Sequence, residues 1–317
     1  MGTYIVVGYL LDFLLGGLTR LPHPVSLIGK LIISMEKIIR RFILGSIGTR
    51  TAGILLALIT VVLTYLMTWF VIRIAWVISP WLYAIVCSIF IFYSLAVRSF
   101  SVKAMKVYKA LQEGDCTLAI ERLSNIVSTD TYDLKEEGII RGTVETLAEN
   151  TVEGIIAPLF YIFLGGPALA MAYKAVKTLF SMVGYRNEEY KEFGWASVKM
   201  YEIVNWVPAR ITGFIIPFAA GVWGKDTKEG MKIYSRDKNK HKSPNSGHPI
   251  AAMAGVLGVR LGGSSEYFGK IVEKPFFGDP KKPLEMEDIL DASRIMNTTA
   301  FLGLVVFYLI AMKFGFR

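Results

Sequence analysis

Residues 52–79, AGILLALITVVLTYLMTWFVIRIAWVIS, carry a single charge, Arg73, in an otherwise apolar run. As an α-helix these 28 residues would be ~42 Å long, more than a ~30 Å hydrocarbon core, so the span tilts or projects. Arg73 lies near its end, where a long cationic side chain reaches the interface. Ser79-Pro80 interrupts the run and residues 81–97 resume it, which predicts a helical hairpin. The hairpin returns the chain to its starting side, so residues 19–51 and 98–149 share one face. Both are rich in Lys and Arg, and short basic loops stay in the cytoplasm.

Working outward, residues 3–18 form a first apolar segment that contains Asp12, and 298–312 form the last. Residues 155–172 contain Pro158 and the break Gly165-Gly166-Pro167; residues 203–222 contain Asn205, Pro208, Arg210 and Pro217. Irregular backbone at membrane depth is tolerated only where it is buried in protein or lines a cavity. Residues 155–172 are therefore expected to be broken or re-entrant and 203–222 broken, with the polar stretch 174–202 carried into a shared cavity. Residues 98–149 and 223–297 are the polar cytoplasmic regions. The expectation is a mainly α, polytopic integral membrane bundle, a single domain over 1–317, whose cytoplasmic polar loops enclose the site.

Composition agrees. The 317 residues are 53% hydrophobic with mean hydropathy +0.45, above the apolar share of a soluble domain. The net charge of +9 fits basic flanks on anionic lipid and does not argue for nucleic acid as a partner. Cys87 and Cys116 are the two cysteines; they provide neither a disulfide framework nor a CxxC metal site. The N-terminus lacks a basic n-region and Asp12 interrupts its apolar stretch, so it reads as a retained segment and not a cleaved signal. No internal repeat or low-complexity tract is visible.

Chemistry concentrates in four segments. RGTVETLAENTVEG, 141–154, places Arg141, Glu145, Glu149 and Glu153 four apart, one stripe of a helix that runs straight into an apolar wall. An Arg141–Glu145 pair accounts for part of it. Glu149, Asn150 and Glu153 suit a hard-cation and phosphate site. YKAVKTLFSMVGYR brings Lys174, Lys177, Ser181, Tyr185 and Arg186 to roughly helical spacing, able to grip phosphate or simply to snorkel. Lys242, Ser243, Asn245 and Arg260 fall in HKSPNSGHPIAAMAGVLGVRLGG. There a strong turn leads into a small-residue helix whose first amides could hold an anion or whose small face could pack tightly. His23 stands between Pro22 and Pro24, a restrained backbone. There is no GxxxxGK[ST] loop, Rossmann GxGxxG, HExxH or Ser-His-Asp elbow, so any nucleotide site is unconventional.

These same segments, with LLDFLLGGLTRLPHPVSLIGKLI and NWVPARITG, run collinearly from residue 10 to 263 and resemble the adenosylcobinamide-phosphate synthases of cobalamin biosynthesis, the CbiB/CobD family. The resemblance implies a multi-pass protein of the cytoplasmic membrane with its active site facing the cytoplasm. It implies ATP- and Mg²⁺-dependent amide ligation of adenosylcobyric acid, a corrinoid, to (R)-1-amino-2-propanol O-phosphate or threonine phosphate. Membrane lipid and other cobamide-assembly enzymes are its further implied partners. Carried onto these residues, Glu145, Glu149 and Glu153 would hold metal, with Glu149 and Asn150 catalytic on metal and nucleotide. Arg141, Lys174, Lys177, Ser181, Arg186, Lys242, Ser243, Asn245 and Arg260 would meet phosphates, and His23 would accept a proton from the attacking amine.

The chain also departs from the family pattern. NTLDSM becomes KTLFSM, with Lys177 and Phe180; the acids before NWVPAR become Tyr201-Glu202; and G-W-P-E becomes Gly247-His248-Pro249-Ile250. A divergent non-catalytic paralogue, a scaffold or sensor, is the competing reading. A transporter is the third, on intramembrane Asp12 and broken helices.

Overall fold

The computed structural model describes residues 2–17, 24–42, 45, 48–127, 134–185, 187–267 and 270–314. Its helices are α1 Gly2–Leu15, α2 Pro24–Phe42, α3 Thr49–Ile78, α4 Pro80–Ser94, α5 Val97–Gln112, α6 Cys116–Ser124, α7 Glu136–Thr151, α8 Ala157–Val183, α9 Trp195–Val204, α10 Trp206–Gly221, α11 Thr227–Asp237, α12 Gly247–Leu257 and α13 Glu287–Phe314. A π-turn, Val152–Ile156, joins α7 to α8, and strands β1 Leu261–Tyr267 and β2 Lys270–Phe277 form one antiparallel hairpin. Among the described residues four helical stretches are long and apolar enough to cross a membrane, five if the pair broken at Asn205 counts as one. The protein is a mainly α, multi-pass membrane bundle.

The chain falls into two compact units. The first comprises residues 1–96, 157–205 and 307–317. Its core gathers Ile28, Ile32 and Ile39 of α2, Ala52, Leu56 and Ala57 of α3, and Met171, Ala175 and Leu179 of α8. Small residues allow this packing: a Cβ at Gly53 would strike the Phe193 carbonyl. The opposite face of α3 exposes Leu58, Val62, Leu66, Phe70 and Val77, a surface suited to lipid. Ser79 caps α4, accepting from the Trp81 amide at 3.2 Å with Pro80 in the first turn, which is why the hairpin turns there.

Within α8 the backbone leaves helical geometry at Gly165 (φ −155°, ψ 22°) and Gly166 (φ 73°, ψ −172°). The Tyr161 and Tyr173 rings stack at 5.2 Å. In an unbroken helix, positions twelve apart would stand ~18 Å apart along the axis, so the chain doubles back at the glycines. Gly166 takes a left-handed backbone that only glycine adopts cheaply. Residues 193–195 then lie beside the start of α3: Arg50 stacks on Trp195 at 3.9 Å.

The second unit comprises residues 97–156 and 206–306. Its centre is α12, buried along its whole length. Glycine faces bring α11 close: a Cβ at Gly255 would meet Ile233, and one at Gly230 would meet Val256. The small residues of SGHPIAAMAGVL thus serve tight packing. Asp237, fully buried at the end of α11, accepts from Arg236 at 2.7 and 2.9 Å, Lys240 at 2.7 Å and the Gly278 amide at 2.9 Å. The Gly278 bond, with the Arg236–Asp279 pair at 2.9 Å, fastens α11 to the end of β2.

Candidate active site

Helix α7 positions the carboxylates. Glu136 and Glu137 occupy its first turn, where the helix dipole favours acids. Ile139, Ile140, Val144 and Leu147 are buried, and the buried Thr143 and Thr151 hydroxyls donate back to Ile139 and Leu147 at 2.8 and 2.7 Å. No hydroxyl on that face is left wanting a partner. The polar stripe is thereby turned away from the apolar contacts of α7. Arg141, Glu145 and Glu149 share it; Glu153 falls in the π-turn, whose wider i→i+5 bonding takes it off strict α register.

Arg141 pairs backward with Glu137 at 3.9 Å, not forward with Glu145. Glu145 Oε1 instead accepts from the Gly262 amide at 2.7 Å. Gly262 has φ +87° at a β-bulge, and a Cβ there would run into the Pro275 carbonyl. The Gly-Gly pair thus serves the bulge and offers its amide to Glu145. Glu149, half-buried, has Glu145 and Glu153 as like-charged neighbours, with the Lys274 charge opposing them and Ser246 nearby. Lys274 lies opposite Gly263 in the hairpin register. Three segments distant in sequence thus meet: the α7 carboxylates, the turn before α12 and the β-hairpin.

That turn is tightly bonded. The Ser243 amide donates to His241 Nδ1 at 2.9 Å and the Asn245 amide to Ser243 Oγ at 3.3 Å. Burial, then the Lys274 charge, push the His241 imidazole below its ordinary value. His248, buried in the first turn of α12, faces the Tyr234 hydroxyl through Nδ1 at 3.1 Å. Burial, with the Arg210 and Lys238 charges behind it, pushes its pKa down to about 4, so the ring is neutral near pH 7.

The remaining expected site residues separate as follows. Asn150 donates to its own helix at Thr146, 3.0 Å. Lys242 is exposed and Arg260 stacks over Phe276 at 4.5 Å. In the first unit Lys174 is buried, and the Ser181 hydroxyl donates to the Lys177 carbonyl at 3.0 Å. His23 and Arg186 lie outside the described residues. Phe180 and Tyr201, two of the positions that depart from the family pattern, stack on each other at 3.9 Å and 4°.

Sequence reasoning did not single out Lys274 or Ser246. Lys274 is a lysine before a proline in a polar region, and only the hairpin register brings it near α7. Ser246 lay within the SPNSG turn, with no signal separating it from Ser243.

Among the described residues no three His, Cys, Asp or Glu side chains converge as a ready cation cage. Mg²⁺ is commonly held by one or two carboxylates plus substrate phosphates, and Glu149 with Glu153 supplies that donor set. Lys274 and Ser246 suit the phosphate side.

A sequence model of the CobD/Cbib protein family matches residues 5–296. The chain is 44% identical over 302 residues to a Clostridium perfringens protein named cobalamin biosynthesis protein CobD, covering 95% of each. It is 46% identical over 284 residues to a Geobacter metallireducens protein of the same name, covering 90% of this chain and 88% of that one. A Citrobacter koseri protein, also so named, is 42% identical over 301 residues, 95% of this chain and 94% of its own length. No solved structure matches.

Proposed function

The chain belongs to the CobD/CbiB family, and from that premise we propose that it acts in cobalamin biosynthesis as an adenosylcobinamide-phosphate synthase. In this reading it is a ligase of the cytoplasmic membrane, working on the cytoplasmic side. It joins the free propionate of adenosylcobyric acid to the amine of (R)-1-amino-2-propanol O-phosphate or threonine phosphate, with ATP consumed. The reading is supported chiefly by the meeting of Glu149, Glu145, Ser246 and Lys274 in one place.

Forming an amide from a carboxylate requires activation, which ATP would supply as phosphoryl donor while Mg²⁺ would share the phosphate charge. The chain's own contribution is binding and orientation. Glu149 and Glu153 would carry the cation, with Ser246 placed beside the Glu149 carboxylate. Glu145 is committed through one oxygen to the Gly262 amide, so it acts mainly by holding the hairpin and hence Lys274. Lys274 and Arg141 would meet phosphate oxygens, as would Lys174, Lys177 and Arg186 by family resemblance. His23 retains, on resemblance, the role of proton acceptor from the amine.

The test is single-turnover ligation by the purified protein in detergent with ATP, Mg²⁺, adenosylcobyric acid and each amine phosphate, products read by mass. Amide product that disappears in Glu149→Gln supports the assignment. Full ligation by Glu149→Gln removes Glu149 from the metal site, and no product from folded wild-type protein removes the ligase reading.

One observation favours a second reading, a non-catalytic paralogue acting as scaffold or sensor. The Phe180–Tyr201 stack puts two aromatic rings where the family pattern has acids. That reading expects cobamide precursors to bind with neither Mg²⁺-dependent ATP binding nor turnover.

A further inference from the structure

The first unit contains a cavity of about 280 Å³ that none of the catalytic argument uses, lined by Tyr4 of α1, Trp69, Arg73 and Trp76 of α3, Tyr83 of α4 and the break at Gly165–Ala168. It lies toward the end of α3 opposite Arg50. The two arginines are 23 positions apart in one helix, ~35 Å along its axis, close to the ~30 Å of a hydrocarbon core. Each stacks on a tryptophan: Arg50 on Trp195 at 3.9 Å and Arg73 on Trp76 at 4.4 Å. Such pairs mark the two interfacial levels, and the cavity opens at the Arg73 level.

Its wall has an unusual chemical mix. Arg73 is exposed, and among the described residues no Asp or Glu bridges it; its recorded contact is the Trp76 ring. The Tyr4 and Tyr83 hydroxyls face each other at 3.3 Å. With Cys87 next to the Tyr83 hydroxyl, this pair makes a polar wall beside Arg73. Around the mouth the surface is apolar and exposed: Phe70, Ile74, Val77 and Trp81. A guanidinium without a carboxylate at the interfacial level stands at headgroup depth, and an anion that brings its own apolar tails would meet both the charge and the surrounding surface.

We propose that this cavity is a phospholipid site, with the phosphodiester of a glycerophospholipid on Arg73, beside the Tyr4–Tyr83 pair, and an acyl chain along the exposed face of α3. The lipid sits in the leaflet opposite the Arg50 end. Guanidinium–phosphate pairing is charge-assisted and directional, and the tryptophans provide the amphipathic rim that headgroups favour.

The experiment is native mass spectrometry of the delipidated full chain in detergent, titrated separately with phosphatidylglycerol, diacylglycerol and glycerol phosphate. One phosphatidylglycerol adduct is expected, with half-saturation rising about tenfold in Arg73→Gln. Arg41→Gln, on α2 outside the cavity, should bind as wild type. Helical circular dichroism checks that Arg73→Gln folds; should it not, Arg73→Lys and Tyr83→Phe decide, each expected to weaken binding about threefold. Wild-type affinity in the folded Arg73 and Tyr83 variants overturns the site. Equal binding of diacylglycerol shows that the phosphate is not read. Equal binding of glycerol phosphate replaces the lipid with a soluble phosphate. Either of these last two results also overturns the proposal.

Discussion

Removing the Glu145 side chain separates docking from metal binding. Its Oε1 accepts from the Gly262 amide at 2.7 Å, a charge-assisted bond of the class that contributes about 1.5–3 kcal/mol. Glu145 is half-buried, so water partly replaces it and the lower half of the range applies. Glu145→Ala orphans the amide at a bulge that cannot turn elsewhere, because Gly262 is pressed against the Pro275 carbonyl; the expected loss is about 2 kcal/mol. Glu145→Gln keeps a carbonyl acceptor and loses only the charge, under about 1 kcal/mol. For a unit of this size the alanine variant should melt ~4–8 °C lower. Thermal unfolding in detergent measures this, and limited proteolysis of residues 261–277 reports whether the hairpin has come loose. Ligation should follow docking: Glu145→Gln retains activity within about tenfold, roughly 1.4 kcal/mol. Wild-type melting and unchanged proteolysis in Glu145→Ala would refute the docking role. Abolished ligation in a stably folded Glu145→Gln would make Glu145 a direct ligand.

Three further outcomes follow from the same geometry. Lys274→Met should raise the KM for ATP about tenfold, the value of one charge-assisted contact, with little change in melting; steady-state kinetics over ATP concentration reads it. His248 has a folded pKa near 4 against about 6.5 unfolded, so the unfolded chain binds the extra proton first. Stability is therefore whole above pH ~6.5 and falls by up to about 3 kcal/mol as pH drops toward 4; melting against pH should show this slope, and His248→Phe should flatten it. Phe180→Ala and Tyr201→Ala should each destabilise. Their double-mutant cycle should return about 0.5–1.5 kcal/mol of coupling, and additive losses would mean that the rings do not act as a pair.

Much of the fold was legible because spans declare themselves locally. The run at 52–79 falls on α3, and Ser79-Pro80 sits at the turn into α4, since apolar length and proline geometry need no tertiary information. The spacing of Arg141, Glu145 and Glu149 likewise follows from helical period alone. The β-hairpin at 261–277 was not legible. Its strands, LGGSSEY and KIVEKPFF, lack clean alternation and are held by Glu145 more than a hundred residues away. The partner of Arg141 was also misassigned, because Glu137 and Glu145 are equally spaced from it and only the docked hairpin decides between them. Helix α13 begins at Glu287, earlier than the apolar run at 298, because a helix can extend beyond the apolar run through a polar first turn that composition reads as loop.

Several departures from the family pattern fall on packed positions. Phe180 and Tyr201 touch, so an acid at either position alone would face an aromatic ring and carry an uncompensated desolvation cost of several kcal/mol. The two rings form one packed pair, so the reversal that tests them replaces both. On α12, Ile250 is buried and His248 is bonded to Tyr234, so these too are packed replacements and not erosion of a loose surface. This gives a reversal with different outcomes for the two functional readings. Phe180→Asp with Tyr201→Asp, alone and combined with Ile250→Glu, should cost stability in either case. If the chain is a ligase as it stands, its cation is held without those positions, and the reversal lowers turnover or leaves it unchanged. If it is a non-catalytic paralogue, the combined reversal should create Mg²⁺-dependent ATP binding that the wild type lacks, read by calorimetry with and without the cation. Tight Mg²⁺-dependent ATP binding by the wild type, undiminished in Phe180→Leu and lost in Glu149→Gln, would refute the paralogue reading and place the nucleotide on α7.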